Sequence, residues 1–331
     1  MSDSLAQRVL IIGPSNIGDA ILIHDVIAAV HHRFPDAHLA LVVGTRATAF
    51  FAHDPRIQSL VDADAYSSVW GRLRLLRALW RYHPHIVVDL RHTIYPLLLN
   101  PWGAWRYVRQ PPKTITHMRD RHFWKLRAQV PGLGEEEPQG ELWLSPEDVG
   151  HVDGLWHRWQ LEKHHPLVVI CPGARSHLKR WTTEGFARVA DRLIGEAQAQ
   201  VVFSGEPDEE PVIESIIDAM THPARSTVGL TTIRQLGALM RRAQLVITND
   251  SASLHLASAV HVPTVAIFGP TDAAKYGPTS RVRRIVRRQL FCAPCEQALC
   301  RFNHECMRFI SADEVFIAAQ ELLSKGTRRT E

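Results

Sequence analysis

No apolar run in this sequence approaches the roughly 20 residues needed to cross a bilayer; residues 94–104 come nearest and are interrupted by two prolines. A spanning helix is excluded, so any membrane contact is peripheral. The opening MSDSLAQRVLIIG carries Asp3 and a short apolar stretch ended by Gly13 and Pro14. It lacks the basic start and long apolar centre of a secretion signal, which leads us to expect a cytoplasmic protein. Low-complexity tracts and short-period repeats are absent, which excludes solenoids and biased disordered chains. Cysteine is scarce at five residues, an odd number unsuited to a full disulfide framework. Net charge is only +4, and no RRM or zinc-finger signature accompanies it, so no nucleic-acid partner is expected.

What is present is enough chain for two cores. At 331 residues the sequence exceeds the roughly 250–300 at which one core usually splits. Short β-branched runs alternate with helical spacing in both halves, the mark of parallel sheets wrapped by helices, an α/β fold. The first half predicts strands at 8–13, 39–43 and 86–90 and a helix over 19–33. The second restarts at 167–171, with a helix near 183–198 and strands at 200–204, 245–248 and 264–268. We place an amino-terminal domain at 1–163 and a carboxy-terminal domain at 164–311. A terminal helix at 312–326 is expected to cross back onto the first domain. Ser145-Pro146-Glu147-Asp148, inside the connecting segment, has the composition of a helix start.

The turn after the first strand reads Gly13-Pro-Ser-Asn-Ile-Gly18-Asp19. It fails the Walker template, because Asp19 and Ala20 stand where Lys and Ser or Thr are needed, and it lacks G-x-G-x-x-G. Its informative feature is the acid. Asp19 either caps a helix or serves as a general base toward an attacking hydroxyl.

In the second half, Asn249-Asp250-Ser251-Ala252 follows a strand and opens a helix with small polar residues. Backbone N–H groups at such a helix start can bind a diphosphate, with Ser251 adding a hydroxyl and His255 following one turn on. Ahead of it, residues 172–181 form a basic loop in which Lys179, helped by Arg175 or Arg180, can neutralise a departing diphosphate. Residues 205–210 put acids after a strand, where a carboxylate accepts from ribose hydroxyls.

Taken in order, Gly18-Asp19, Lys179-Arg180-Trp181, Asn249-Asp250-Ser251 with His255, and Phe268-Gly269-Pro270-Thr271 resemble the motifs of the ADP-heptose:lipopolysaccharide heptosyltransferases. The resemblance spans nearly the whole chain. It implies the GT-B fold, two facing Rossmann-like domains with a deep cleft, and an inverting glycosyltransferase that needs no catalytic metal or other cofactor. The implied substrates are an ADP-sugar donor and a lipid-linked saccharide acceptor of the lipopolysaccharide core. Carried over by position, Asp19 is the catalytic base and Lys179 the phosphate-neutralising residue. Ala174, Arg175, Arg180, Glu209, Thr231, Asp250, Ser251, Ala252 and His255 are donor-binding, and Ser15 and Asn16 acceptor-binding. Asp25 stands where proline is common, and Ala252 where glycine is usual. An epimerase of the same fold, or a non-catalytic nucleotide-binding protein, is the alternative reading.

Residues 70–127 hold twelve Lys and Arg against Asp89 and Asp120, a segment net of +10 that leaves the rest of the chain acidic. Trp70, Trp80, Trp102, Trp105 and Trp124 are interleaved with them. Cations among aromatic rings suit an anionic membrane surface, so we expect peripheral attachment to the inner face of the cytoplasmic membrane. Finally, Cys292, Cys295, Cys300 and Cys306 give four soft ligands within fifteen residues, a candidate structural zinc site.

Overall fold

The computed structural model describes residues 7–103, 105–130, 132–134 and 140–327. Its contacts divide the chain into two compact units, Met1–Trp143 and Leu144–Glu331. In the first, β1 (Arg8–Ile12), β2 (His38–Val43), β3 (Ser59–Asp62) and β4 (Ile86–Asp89) form a sheet in the order β3-β2-β1-β4. All its pairings are parallel, with Ile12 set between Val42 and Asp89. Val9, Leu10, Ile11 and Leu41 have no solvent exposure, as expected of strands covered on both faces. The helix expected over 19–33 is two helices, Ile17–Ile21 and His24–Arg33. Between them the ladder tightens to a bond from Ile23 N to Ala20 O (3.2 Å), which gives the Asp19 turn an axis of its own.

The second unit holds β5 (Leu167–Cys171), β6 (Gln200–Phe203), β7 (Arg225–Ser226), β8 (Leu245–Asn249), β9 (Thr264–Phe268) and β10 (Arg283–Arg287). Their order, β10-β9-β8-β5-β6-β7, is that of a complete dinucleotide-binding sheet, and all pairings are parallel. Strands β3, β7 and β10 carry no continuous apolar run and were not anticipated. The first is half-buried, the second is two residues long, and the third is an edge strand that alternates exposed and half-buried residues.

Two boundaries differ from expectation. The division falls between Trp143 and Leu144, ahead of 163, because the helix Pro146–Arg158 packs on the helix Ile233–Arg242. Arg234 latches the two: Nε and Nη2 donate to Asp148 Oδ2 at 3.0 and 2.5 Å, and both side chains are largely buried. Ser145 and Asp148 form the capping box that opens the first of these helices. The terminal helix, Ala312–Thr327, belongs to the second unit and packs there on the helix Thr183–Ala197 and on β8, β9 and β10. Val315, Phe316, Ala319 and Leu322 join Phe186, Leu193 and Ile267 in that unit's core.

Candidate functional site

Parallel strands deliver every following loop to one edge of their sheet, and the reversal of order between β5 and β8 opens a crevice there. On this edge the loop after β5 carries Ala174, Arg175, Lys179 and Arg180, and the loop after β6 carries Glu209. Thr231 follows β7; Asp250, Ser251 and Ala252 follow β8, with His255 buried on the helix Ala252–Ala259. One sheet edge thus gathers every residue expected on the donor side.

Asn249 clamps the two central loops. It is fully buried, its Nδ2 donates to Pro172 O (2.7 Å), and its Oδ1 accepts from Trp181 N (3.2 Å). Next to it, Lys179 Nζ donates to Asp250 Oδ2 (2.7 Å), which also accepts from Thr271 Oγ1 (2.7 Å). A carboxylate repels a diphosphate, so Asp250 acts as the anchor of Lys179. The lysine side chain keeps 31% of its exposure and stays open to an anion. The clamp role of Asn249 and the Thr271 bond were not singled out from the sequence, although both residues stand in the motifs.

The helix Ala252–Ala259 begins with no side-chain cap: Ser251 at the N-cap is extended, and its Oγ pairs with Thr248 Oγ1 at 3.3 Å. The first backbone N–H groups of such a helix form an anion seat. Glu209 lies against Gly173, where an added Cβ would sit 2.0 Å from the Glu209 carboxyl atoms. Its Oε2 accepts from Glu206 N (3.0 Å), and burial raises its pKa, opposed by that bond and by Arg180. Arg180 Nε donates to Ala174 O (2.9 Å), while Arg175 is exposed and Thr231 half-buried just before the N-cap Thr232. Cys171 is a buried thiol that burial pushes up to about 12, which makes it chemically quiet.

In the first unit, β1 runs into a turn where Gly13 has no room for a side chain, since a Cβ would lie 2.7 Å from Ile23 Cδ1. Asn16 is the extended N-cap of the helix Ile17–Ile21, and Asp19 is half-buried in its first turn. Ser15 Oγ, four residues ahead of that acid, is buried and has no hydrogen-bond partner among the described residues. Asp25 has a structural role: Oδ2 accepts from Arg119 Nε (2.5 Å) and Oδ1 from Gly140 N (2.7 Å). The latch ties the helix His24–Arg33 to the helix Met118–Gln129.

The same edge of the first sheet holds a group that sequence reasoning passed over. Lys125 is buried and donates from Nζ to Leu90 O (2.7 Å), and Leu90 N donates to Ile12 O (2.9 Å). Burial lowers the lysine to about 8 and raises Asp89, whose oxygens accept from Arg91 N and Thr93 N. The one sequence signal was a lysine flanked by Trp124 and Leu126.

The four clustered cysteines line one cavity of about 260 Å³ together with Leu178, Pro270 and His304. Backbone N–H groups of Phe302 and His304 each donate to Cys300 Sγ at 3.4 Å. Burial, and then the other three thiols, raise the pKa of Cys306. No three of the sulfurs lie within 4.8 Å of one another, so they are close without being closed into a tetrahedron.

A family model described as glycosyltransferase family 9 (heptosyltransferase) matches residues 101–305. The chain is 25% identical over 307 residues to lipooligosaccharide heptosyltransferase 2 of Haemophilus influenzae, covering 85% of this chain and 88% of that one. It is 28% identical over 291 residues to lipopolysaccharide heptosyltransferase 3 of Escherichia coli, covering 80% and 84%. Among solved structures, a family 9 glycosyl transferase from Veillonella parvula superposes with a TM-score of 0.83 at 21% identity, covering 98% of this chain and 100% of the other. E. coli ADP-heptose lps heptosyltransferase II gives 0.75 at 21%, covering 96% and 99%. TibC of enterotoxigenic E. coli, a dodecameric iron-containing heptosyltransferase solved with ADP-D-β-D-heptose, gives 0.60 at 16%, covering 98% and 80%.

Proposed function

This chain belongs to glycosyltransferase family 9, the heptosyltransferases, and from that membership we propose that it moves a heptose from ADP-heptose to a lipid-linked saccharide of the lipopolysaccharide core. The observation that carries the donor assignment is the pairing of Lys179, held by Asp250, with the uncapped start of the helix Ala252–Ala259 on one sheet edge. Both supply positive potential where a diphosphate leaves, and such preorganised charge is usually the largest catalytic contribution. In the proposed reaction an acceptor hydroxyl attacks the anomeric carbon while the bond from that carbon to the diphosphate oxygen breaks. The hydroxyl proton passes to Asp19, ADP departs with the bonding pair, and the anomeric configuration inverts. Ser15 and Asn16 position the acceptor, and Ala174, Arg175, Arg180, Glu209, Thr231, Ser251, Ala252 and His255 hold the donor.

Thermal unfolding with ADP, UDP, GDP, CMP and NAD tests the donor. A ligand at 100 times its dissociation constant stabilises by about 2.7 kcal/mol, so ADP alone should raise the midpoint by several degrees. A response to UDP or GDP in its place would change the sugar assignment; product analysis with a lipid acceptor then separates transfer from epimerisation. Asp19→Asn should fold normally and lose about 10²–10⁴ in turnover. Near-normal turnover would remove Asp19 as the base.

We also propose that Cys292, Cys295, Cys300 and Cys306 hold one structural metal ion, apart from the transfer chemistry, which needs no cofactor. Four thiols on one cavity wall, with two N–H donors to Cys300 Sγ, support it. Zinc suits four thiolates, and the iron of TibC makes iron the rival. Side-chain rotation must draw the sulfurs to the roughly 3.8 Å separations of a tetrahedral site. Elemental analysis of purified protein should give about one ion per chain, lost in Cys292→Ser with Cys295→Ser. Metal-free wild-type protein of full stability would sink the idea.

Peripheral attachment to the inner face of the cytoplasmic membrane completes the proposal. Among the described residues no helix is long and apolar enough to cross a membrane. Trp70, Trp80, Trp102 and Trp105 are exposed amid the arginines of the first unit. Binding to anionic vesicles that fades with salt is the expected outcome.

A further inference from the structure

The amino edge of the first sheet, opposite the Asp19 turn, carries an open cavity of about 720 Å³ that the proposed transfer does not use. Its walls are Arg8, Arg77, Arg81, His83, His85 and Trp80, closed by Pro84 and Leu99. Five cationic or titratable nitrogen side chains and no carboxylate line it. Arg8, the first residue of β1, is fixed: its Nε donates to His83 O (2.8 Å), and its Nη2 approaches His85 Nε2 (3.3 Å). Among the described residues Arg77 and Arg81 make no ion pair, so their charge is uncommitted.

The helix Val69–Tyr82 that supplies Arg77, Trp80 and Arg81 is amphipathic in an unusual sense. Gly71, Leu75 and Leu79 are buried, and the two leucines pack on Leu10, Ile12 and Val87. The opposite face is not simply polar: Val69, Trp70, Leu73 and Trp80 are 52–78% exposed beside Arg74, Arg77 and Arg81. Apolar and indole groups alternating with guanidinium groups on a solvent face are the composition of an interfacial helix. The carboxyl end of this helix works against an anion with about half a negative charge. Three guanidinium groups outweigh that several-fold, and Arg8 already occupies the carbonyl of the C-cap residue His83.

We propose that this cavity binds the phosphate of an anionic lipid headgroup, with Arg77 and Arg81 on the phosphate oxygens, Arg8 behind them and Trp80 against the glycerol. Guanidinium forks suit phosphate because they donate in pairs. Val69, Trp70 and Leu73, continuous with the cavity along one helix face, would enter the interface while the headgroup is held. The inference rests on the peripheral-membrane reading above and replaces diffuse attraction with a defined site.

The test compares Arg77→Gln/Arg81→Gln with Arg72→Gln/Arg74→Gln, which removes equal charge from the same helix outside the cavity. Both are checked for an unchanged unfolding midpoint and unchanged transfer to a soluble acceptor. Binding is measured to vesicles of phosphatidylcholine alone and mixed with phosphatidylglycerol, and to glycerol 3-phosphate by calorimetry. Loss of two ordinary surface cations weakens vesicle binding by about thirtyfold. The cavity pair should exceed the control pair by about tenfold or more and alone abolish glycerol 3-phosphate binding. Equal losses in both pairs would overturn the site and leave the membrane reading intact. Failure of wild-type protein to bind anionic vesicles would remove the membrane reading, and cavity-dependent glycerol 3-phosphate binding would then mean a soluble phosphate ligand, overturning the lipid assignment.

Discussion

Asp250 accepts from both Lys179 and Thr271, and this shared oxygen decides how the donor site responds to mutation. Removing its charge releases Lys179 and withdraws a carboxylate from the diphosphate. Asp250→Asn should therefore bind ADP up to about tenfold more tightly, since one charge contact near a surface is worth about 1 kcal/mol or more. Turnover should nevertheless fall, because the freed ammonium is no longer aimed. Weaker ADP binding by calorimetry would contradict the anchor role. Glu209 makes a second case at this scale. Its carboxyl rests where a Gly173 side chain would be, so Gly173→Ala should displace it and reproduce the nucleotide affinity of Glu209→Gln. A variant with wild-type ADP affinity would separate Glu209 from the nucleotide.

At the scale of elements, latches between helices carry more than the strands reveal. Asp25 ties the helix His24–Arg33 to the helix Met118–Gln129 through a largely buried bond to Arg119. Asp25→Ala removes the buried carboxylate from Arg119, which keeps Asp120 at 3.6 Å, and should cost about 3 kcal/mol in urea unfolding, the lower end for breaking a buried pair. A loss below about 1 kcal/mol would mean the pair is solvated. The carboxyl end of β4 offers a pH signature through Lys125, lowered by burial from 10.5 to about 8. Between those values the unfolded chain holds a proton that the folded chain has released, so stability should rise with pH across this window. The whole rise is worth about 3 kcal/mol and should vanish in Lys125→Met.

For the whole molecule, each unit has its own sheet and core, so heat or denaturant should produce two transitions. ADP should raise the midpoint of the second unit's transition, and Asp25→Ala should lower the first unit's. A single transition moved equally by both perturbations would show that the units unfold as one. The same two-unit structure explains what was readable in advance. Central strands such as β5 and β8 are continuous apolar runs because both their faces are covered, and that is a local pattern. The loops that follow them, with Lys179, Asp250 and Ser251, could therefore be placed on one edge without knowing any contact. Edge strands β3, β7 and β10 share no such pattern and were missed.

The sequence by itself determined the parallel α/β class, the order of the strand-to-loop motifs and the segregation of basic and aromatic residues, because each is written in neighbouring positions. Tertiary structure alone decided that Asp250 anchors Lys179, that Asp25 pairs with Arg119 and that Arg234 draws the helix Pro146–Arg158 into the second unit. It also decided that the helix Ala312–Thr327 stays with that unit. These partners lie tens of residues or more apart, and any buried charge accepts whichever opposite charge the packing brings within reach. Periodicity fixes which face of a helix is apolar; only the packed core decides which neighbour that face meets.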